Sequence, residues 1–207
     1  FFRRRNHRSR LRIEHTNWPG TCIGWIFKSA TRLLAKRRKA AHDFNEELSF
    51  PQLNGNASVY FDERLVPHVV ADNDADAYFI QGYLHAKFRL WQMEFSTHAA
   101  AGRISEIIGD RAINFDKEQR RIGMVFAAEN MLKEMEANEF TKLSVDNYTK
   151  GINAYIETLS KSALPIEYKI LGYQPEKWTN LKTALFIKQM TKTLAFSADD
   201  LPLTALK

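Results

Sequence analysis

The stretch GYLHAKFRLWQMEF, from Gly82 to Phe95, contains no proline and reads at a period of 3.6 residues. Leu84, Phe88, Trp91 and Phe95 fall at i, i+4, i+7 and i+11 and make one apolar stripe. Burying a large apolar side chain is worth roughly 1.5–3 kcal/mol, so this segment is expected to be a core helix around which the rest of the chain is built. His85, Arg89, Gln92 and Ser96 make a polar stripe one residue on. From spacing alone, that stripe is either a solvated flank or the polar side of an active-site helix.

The pattern stays helical beyond Asp72. DNDADAYF opens with acids that suit a helix N-terminus. Gly109 is the expected C-cap, with Gly82 and Gly102 as points of kink or close packing. FDKEQRRIGMVFAAENMLKEME is expected as a second helix. NEFTKLSVDNYTKGINAYIETLSK is expected as a third, with Leu143, Tyr148, Ile152, Tyr155 and Ile156 on its apolar face. SALPIEYKILGYQPEKWTN reads as a loop with a short apolar insert, and LKTALFIKQMTKTLAFSADDL as a fourth helix. Upstream, ASVYFDE alternates as a strand does, and PHVVA is a second short strand with Pro67 at its start. The two are close enough to form a hairpin. The expected fold class is α+β and mostly helical.

Charge divides the chain. Of 30 Lys+Arg and 24 Asp+Glu, residues 1–39 hold 12 of the bases and one acid, Glu14, leaving 18 bases and 23 acids elsewhere. Residues 1–48 therefore read as a basic, poorly defined segment, with a short amphipathic helix from Trp25 to Lys39, and residues 49–207 as the domain. A basic arm is able to bind nucleic acid or anionic lipid, or is simply solvated or foreign to the protein. With an acidic body and no nucleic-acid-binding motif, no nucleic-acid partner is expected. No apolar run reaches the roughly 20 residues of a membrane span. The lone Cys22 forbids an internal disulfide. The absence of an initiating Met and of a signal peptide suggests a fragment. There is no Gly-rich phosphate loop, no G-x-S-x-G and no H-E-x-x-H, and the six His are scattered. These features alone support no more than a mostly helical domain.

A longer pattern is more specific. FDERLVPHVVADNDADAYFIQGYLHAKFRLWQMEFSTHAAAGRISEIIG resembles the α-chain of the penicillin acylase family of N-terminal-nucleophile hydrolases. The matching positions include Asp62, Pro67, His68, Asp76, Gly82, Tyr83, His85, Arg89, Gln92, Gly102, Arg103, Ser105, Glu106 and Gly109. GINAYIETL, LPIEYKILG and PEKW resemble later family segments, so that residues 50–207 are covered. Leu65 departs by standing where the family favours Gly, and Phe88 by replacing an acid. Ser96-Thr97-His98 replaces an Arg-rich stretch, and the segment between Leu53 and Ala57 is short.

The resemblance implies the α-chain portion of a four-layer αββα assembly. It also implies an amidase acting on small N-acyl amides, with the nucleophile and oxyanion donors on a β-chain of the same precursor. No catalytic residue is therefore expected here. Met190 and Leu194 would line the acyl pocket, and Asp199, or Asp200 next to it, would complete a calcium site. The resemblance further implies export to the periplasm. It makes the helix carrying Gly82, Tyr83 and His85 scaffold, with His85, Arg89 and Gln92 as buried polar residues holding neighbouring helices or chains in register. A catalytically incomplete helical scaffold is the rival reading, and a nucleic-acid-binding protein led by the basic arm is the other.

Overall fold

The computed structural model describes residues 48–195. The basic arm, the Trp25–Lys39 segment, Cys22, Asp199 and Asp200 lie outside them. Two short strands open the fold, β1 (Ala57–Phe61) and β2 (Pro67–Ala71), paired antiparallel with Val59 opposite Val69 and Tyr60 opposite His68. The turn between them is organised by Asp62, whose Oδ1 accepts the amides of Arg64 (2.8 Å) and Val66 (2.9 Å). Leu65 in this turn has φ 60°, and it is the one non-glycine residue in the left-handed region among those described. A side chain there costs about 1–2 kcal/mol, which gives a physical reason for the glycine that the resemblance favours.

Next comes α1 (Asp74–Ala101), the longest helix among the described residues. Asn73 caps it by accepting the Asp76 amide at 2.9 Å. Asp76 itself is buried and accepts the amides of Asn54 and Gly55 (2.8–3.1 Å) and the Asn73 side chain. Burial alone would raise its pKa. The amide donors outweigh that and hold the carboxyl below its usual range. The short segment before β1 is thus tied to the start of α1.

The remaining helices are α2 (Ser105–Ile108, leading into a 3-10 turn over Gly109–Ala112), α3 (Ile113–Ile122), α4 (Met124–Ala137), α5 (Glu139–Thr158), α6 (Ile166–Leu171) and α7 (Asn180–Ala195). Three boundaries differ from expectation. The first helix stops at Gly102 rather than Gly109, because Gly102 turns left-handed (φ 64°) and its amide returns to Ala99. The second expected helix is split by Gly123, also left-handed (φ 77°), into α3 and α4. The apolar insert between the third and fourth expected helices is itself a helix, α6, and it buries Tyr168.

The buried stripe of α1 also differs. It runs through Phe79, Tyr83, Ala86, Leu90, Met93, Thr97 and Ala100, while Leu84 flanks it and Phe88 is exposed. A single periodic reading misplaces it for two reasons. The backbone leaves helical geometry at Arg89 (φ −139°, ψ 15°), so the two halves are not in phase. They also pack on different neighbours. Phe79, Ile80, Tyr83 and Leu84 lie under the hairpin, against Val59, Phe61 and Val69. Ala86, Leu90 and Met93 meet Ile152, Leu164, Tyr168 and Trp178. Phe88, where the resemblance favours an acid, meets Phe61 edge-on with centroids 6.1 Å apart and ties the hairpin to the helix.

The crossing of α1 and α5 sets the core. A Cβ on Gly82 would lie 2.1 Å from the carbonyl oxygen of Tyr148, and a Cβ on Gly151 would lie 1.9 Å from that of Phe79. Backbone meets backbone at both points, so Gly82→Ala and Gly151→Ala each force the helices apart. Each is expected to destabilise the fold by about 3 kcal/mol, measured as the shift in urea midpoint. A loss below about 1 kcal/mol would show that the helices separate freely. In contrast, Leu65→Gly is expected to raise the midpoint, equivalent to about 1 kcal/mol.

Candidate functional site

Two sets of polar groups leave α1 in opposite senses. His85, Arg89 and Gln92 are exposed, so they are not buried between helices of this chain. They form one wall of a groove of about 670 Å³, whose other side is apolar and includes Val145, Trp178, Phe186 and Ile187. The tertiary reason is that residues of α4, α5 and α7 meet this face of α1 across the groove rather than in close contact along it. Tyr148 crosses from α5, its hydroxyl 2.9 Å from His85 Nδ1. Burial pushes the Tyr148 phenol up to about 12. Partial shielding of the ring from water lowers the His85 pKa. Among the described residues no Asp, Glu or Lys lines the groove, which leaves Arg89 as its one full charge.

On the buried side Glu94, 1% exposed, anchors a charge network. Its carboxylate accepts from the Tyr168 hydroxyl and, at 2.7 Å, from the Glu176 amide. Lys182 Nζ lies 3.5 Å from Glu94 Oε1 and 2.8 Å from Glu176 Oε2. Arg103 joins Glu106 (2.6 Å) to Glu176 (2.8 Å). His98 is buried, its Nδ1 3.0 Å from the Glu94 carbonyl oxygen and its Nε2 3.8 Å from Glu176. The Arg103 guanidinium, opposed by burial and helped by Lys182, holds the Glu176 carboxyl at about 2. Burial, reinforced by the Glu94 charge, raises the Tyr168 phenol far above its ordinary value. Each acid here is met by a base or a donor. The network clamps α1, α2, α6 and the segment leading into α7, and among the described residues it holds no unengaged base or nucleophile.

The expected structural residues divide between packing, capping and charge. Gly82 and Tyr83 lie in the α1–α5 crossing, Gly102 caps α1, and Arg103 and Glu106 join the network. His68 is exposed on β2, its Nε2 3.6 Å from Asp62. Met190 and Leu194 are exposed on α7, 49% and 78%, beyond the groove lining. Sequence reasoning does not single out Glu94, Tyr168, Glu176 or Lys182. A signal exists for Glu94, which lies four residues after Leu90 on the buried phase. Asn153 is likewise missed as a site residue. It is buried, donates to the Trp178 carbonyl (3.0 Å) and accepts the Trp178 amide (2.8 Å).

His98, Glu106 and Glu176 offer ligand atoms within 4.8 Å of one another. They do not fit calcium, which takes an all-oxygen shell, and Arg103 and Lys182 already neutralise the carboxylates. Among the described residues no helix is long and apolar enough to cross a membrane.

The family model described as penicillin amidase matches residues 56–207. The penicillin acylase 2 proenzyme of Pseudomonas sp. (strain SE83) is 37% identical over 131 residues, 63% of this chain and 16% of that protein. Penicillin G acylase of Escherichia coli is 26% identical over 75% of this chain and 19% of its own length. The acyl-homoserine lactone acylase QuiP of Pseudomonas aeruginosa is 29% identical over 70% and 17%. In three dimensions, the thermostable penicillin G acylase from Alcaligenes faecalis superposes with a TM-score of 0.64 at 26% identity, covering 74% of this chain and 80% of that one. The chain thus spans less than a fifth of the length of these curated relatives.

The network makes stability depend on acid pH. A carboxyl at 4.5 when unfolded and about 2 when folded contributes stability that is complete above about pH 5 and lost as pH falls toward 2. The urea midpoint is expected to fall over that window, and the fall to be shallower in Glu176→Gln. An unchanged slope in the variant would remove Glu176 from the account.

Proposed function

Because this chain belongs to the penicillin amidase family, we propose that it is the α-side of an amidohydrolase that cleaves small N-acyl amides. In this reading the chemistry sits on a β-chain of the same precursor. The hydroxyl or thiol of that chain's first residue, a Ser, Thr or Cys, attacks the amide carbonyl, and its own α-amino group acts as base, directly or through water. Donors on the β-chain stabilise the oxyanion. The observation that carries the reading is the family match over residues 56–207, together with a described structure whose polar clusters are scaffold. The charge network and the glycine crossing hold a rigid helical body. The exposed apolar end of α7 is left for a partner and a substrate.

The finer parts belong to the same proposal. The body packs as the helical part of a four-layer αββα assembly. Met190 and Leu194, exposed one turn apart on α7, become pocket wall when the β-chain closes over them. An aliphatic Leu194 favours an acyl group other than phenylacetyl, from the range spanned by β-lactam side chains and acyl-homoserine lactones. Asp199 supplies one carboxylate to a calcium ion, whose remaining oxygens come from the β-chain. The working location is the periplasm. By itself this chain is inactive.

The test is the mass and N-terminal sequence of the mature products of the full gene, followed by turnover of a panel of N-acyl amides. A second chain beginning with Ser, Thr or Cys is expected, with aliphatic acyl amides cleaved faster than phenylacetyl ones. A single uncut and inactive product would sink the reading.

A further inference from the structure

Arg89 stands at the kink of α1, where the backbone leaves helical geometry, on the polar wall of the groove between α1, α5 and α7. Among the described residues its guanidinium has no hydrogen bond and no ion pair. A solvated arginine by itself marks nothing. This one shares its groove with an apolar wall that includes Val145, Trp178, Phe186 and Ile187. That wall is held from behind. The Trp178 indole donates to the Thr183 hydroxyl at 2.9 Å, and Asn153 engages both backbone groups of Trp178. The groove is therefore preformed. Its volume of about 670 Å³ lies within the roughly 300–1,000 Å³ typical of small-molecule sites.

The charge and the apolar wall together restrict the ligand. A wholly apolar molecule filling the groove would take water from Arg89 without replacing it, which is costly. A small inorganic anion would meet Arg89 and leave the apolar wall in water. A dianion would bring a second charge with no second cation to meet it, since among the described residues no Lys and no other Arg lines the groove. What remains is a monoanion with an apolar body. A carboxylate matches the planar fork of the guanidinium with two parallel hydrogen bonds. Gln81 and Gln92, exposed on the same wall, carry further amide donors.

We propose that this groove binds a small amphipathic monocarboxylate, such as decanoate, with its carboxylate on Arg89 and its chain along Trp178, Phe186 and Ile187. Met190 and Leu194 lie beyond this lining. The polar stripe of α1 is then the headgroup side of a ligand site, and binding there makes and breaks no covalent bond.

The experiment irradiates the full-length protein with an analogue of decanoic acid that carries a photoreactive diazirine near the end of its chain. The expected adducts lie between Trp178 and Ile187. Excess decanoate is expected to abolish them, and excess decanol, which has the chain without the charge, to leave them. Arg89→Met removes the charge and is expected to weaken labelling there by at least about tenfold. Should that variant fail to fold, the comparison of decanoate with decanol on the unaltered protein still decides. Displacement by decanol as readily as by decanoate would overturn the proposal, because the charge would then not be read. So would adducts confined to other residues, Met190 and Leu194 included, or no adducts at all, as when another part of the protein already fills the groove. None of these outcomes bears on the amidase reading, which the mature products and their turnover decide separately.

Discussion

The fold depends on the contact between α1 and α5 at Gly82 and Gly151. At these two positions a side chain is excluded by a carbonyl oxygen of the opposite helix, at 2.1 and 1.9 Å from the missing Cβ. Such an approach exchanges side-chain packing for backbone van der Waals and Cα–H···O contacts. It also fixes the helices in one register, since sliding either by a turn would bring a larger residue to the crossing. The neighbours depend on it. Ile152, one residue past Gly151, reaches the cluster with Leu90, Tyr168 and Trp178. Asn153, two past it, grips the backbone of Trp178 from both sides. Ala154 backs Phe79 and Leu84 under the hairpin.

A second constraint acts through charge. Glu94 is buried, and a buried carboxylate is tolerated only when it is paired and hydrogen-bonded. Tyr168, the Glu176 amide and Lys182 meet that requirement, and each arrives from a part of the chain remote in sequence. The helix α6 and the segment before α7 are therefore held by one acid as well as by apolar packing. Arg103 and Glu106 extend the same network to α2. Although the groups are titratable and close together, they neutralise one another, and this is what makes the cluster structural rather than chemical.

The family pattern gains physical content from these contacts. Asp62 shapes the hairpin turn, Asp76 ties the preceding loop to α1, and Gly102 ends that helix. Asp116 accepts the amides of Ile104 and Ser105 and fixes the corner after α1. Departures are legible in the same terms. Leu65 carries backbone strain that a glycine would not, and Phe88 gains a ring contact with Phe61. Outside these roles stands the groove around Arg89, whose polar wall is tied to α5 through His85 and Tyr148.

The sequence by itself determined most of the element types, α6 being the exception. Alternation in ASVYFDE and PHVVA gave the hairpin, and helical periodicity gave the bundle. The order of fixed residues from Asp62 to Gly109 gave the family, because that much chemistry in one order has no local explanation. Periodicity is a local property, and it could not say which side of α1 would be covered. The kink at Arg89 breaks the phase, and the choice between the stripe at Phe88 and the stripe at Leu90 was made by where the hairpin, α5 and α6 pack. Nor could spacing reveal the partners of Glu94, 74 to 88 residues away, since pairing at that distance exists only once the chain has folded. Tertiary structure therefore decided which polar stripe is buried and which faces the groove.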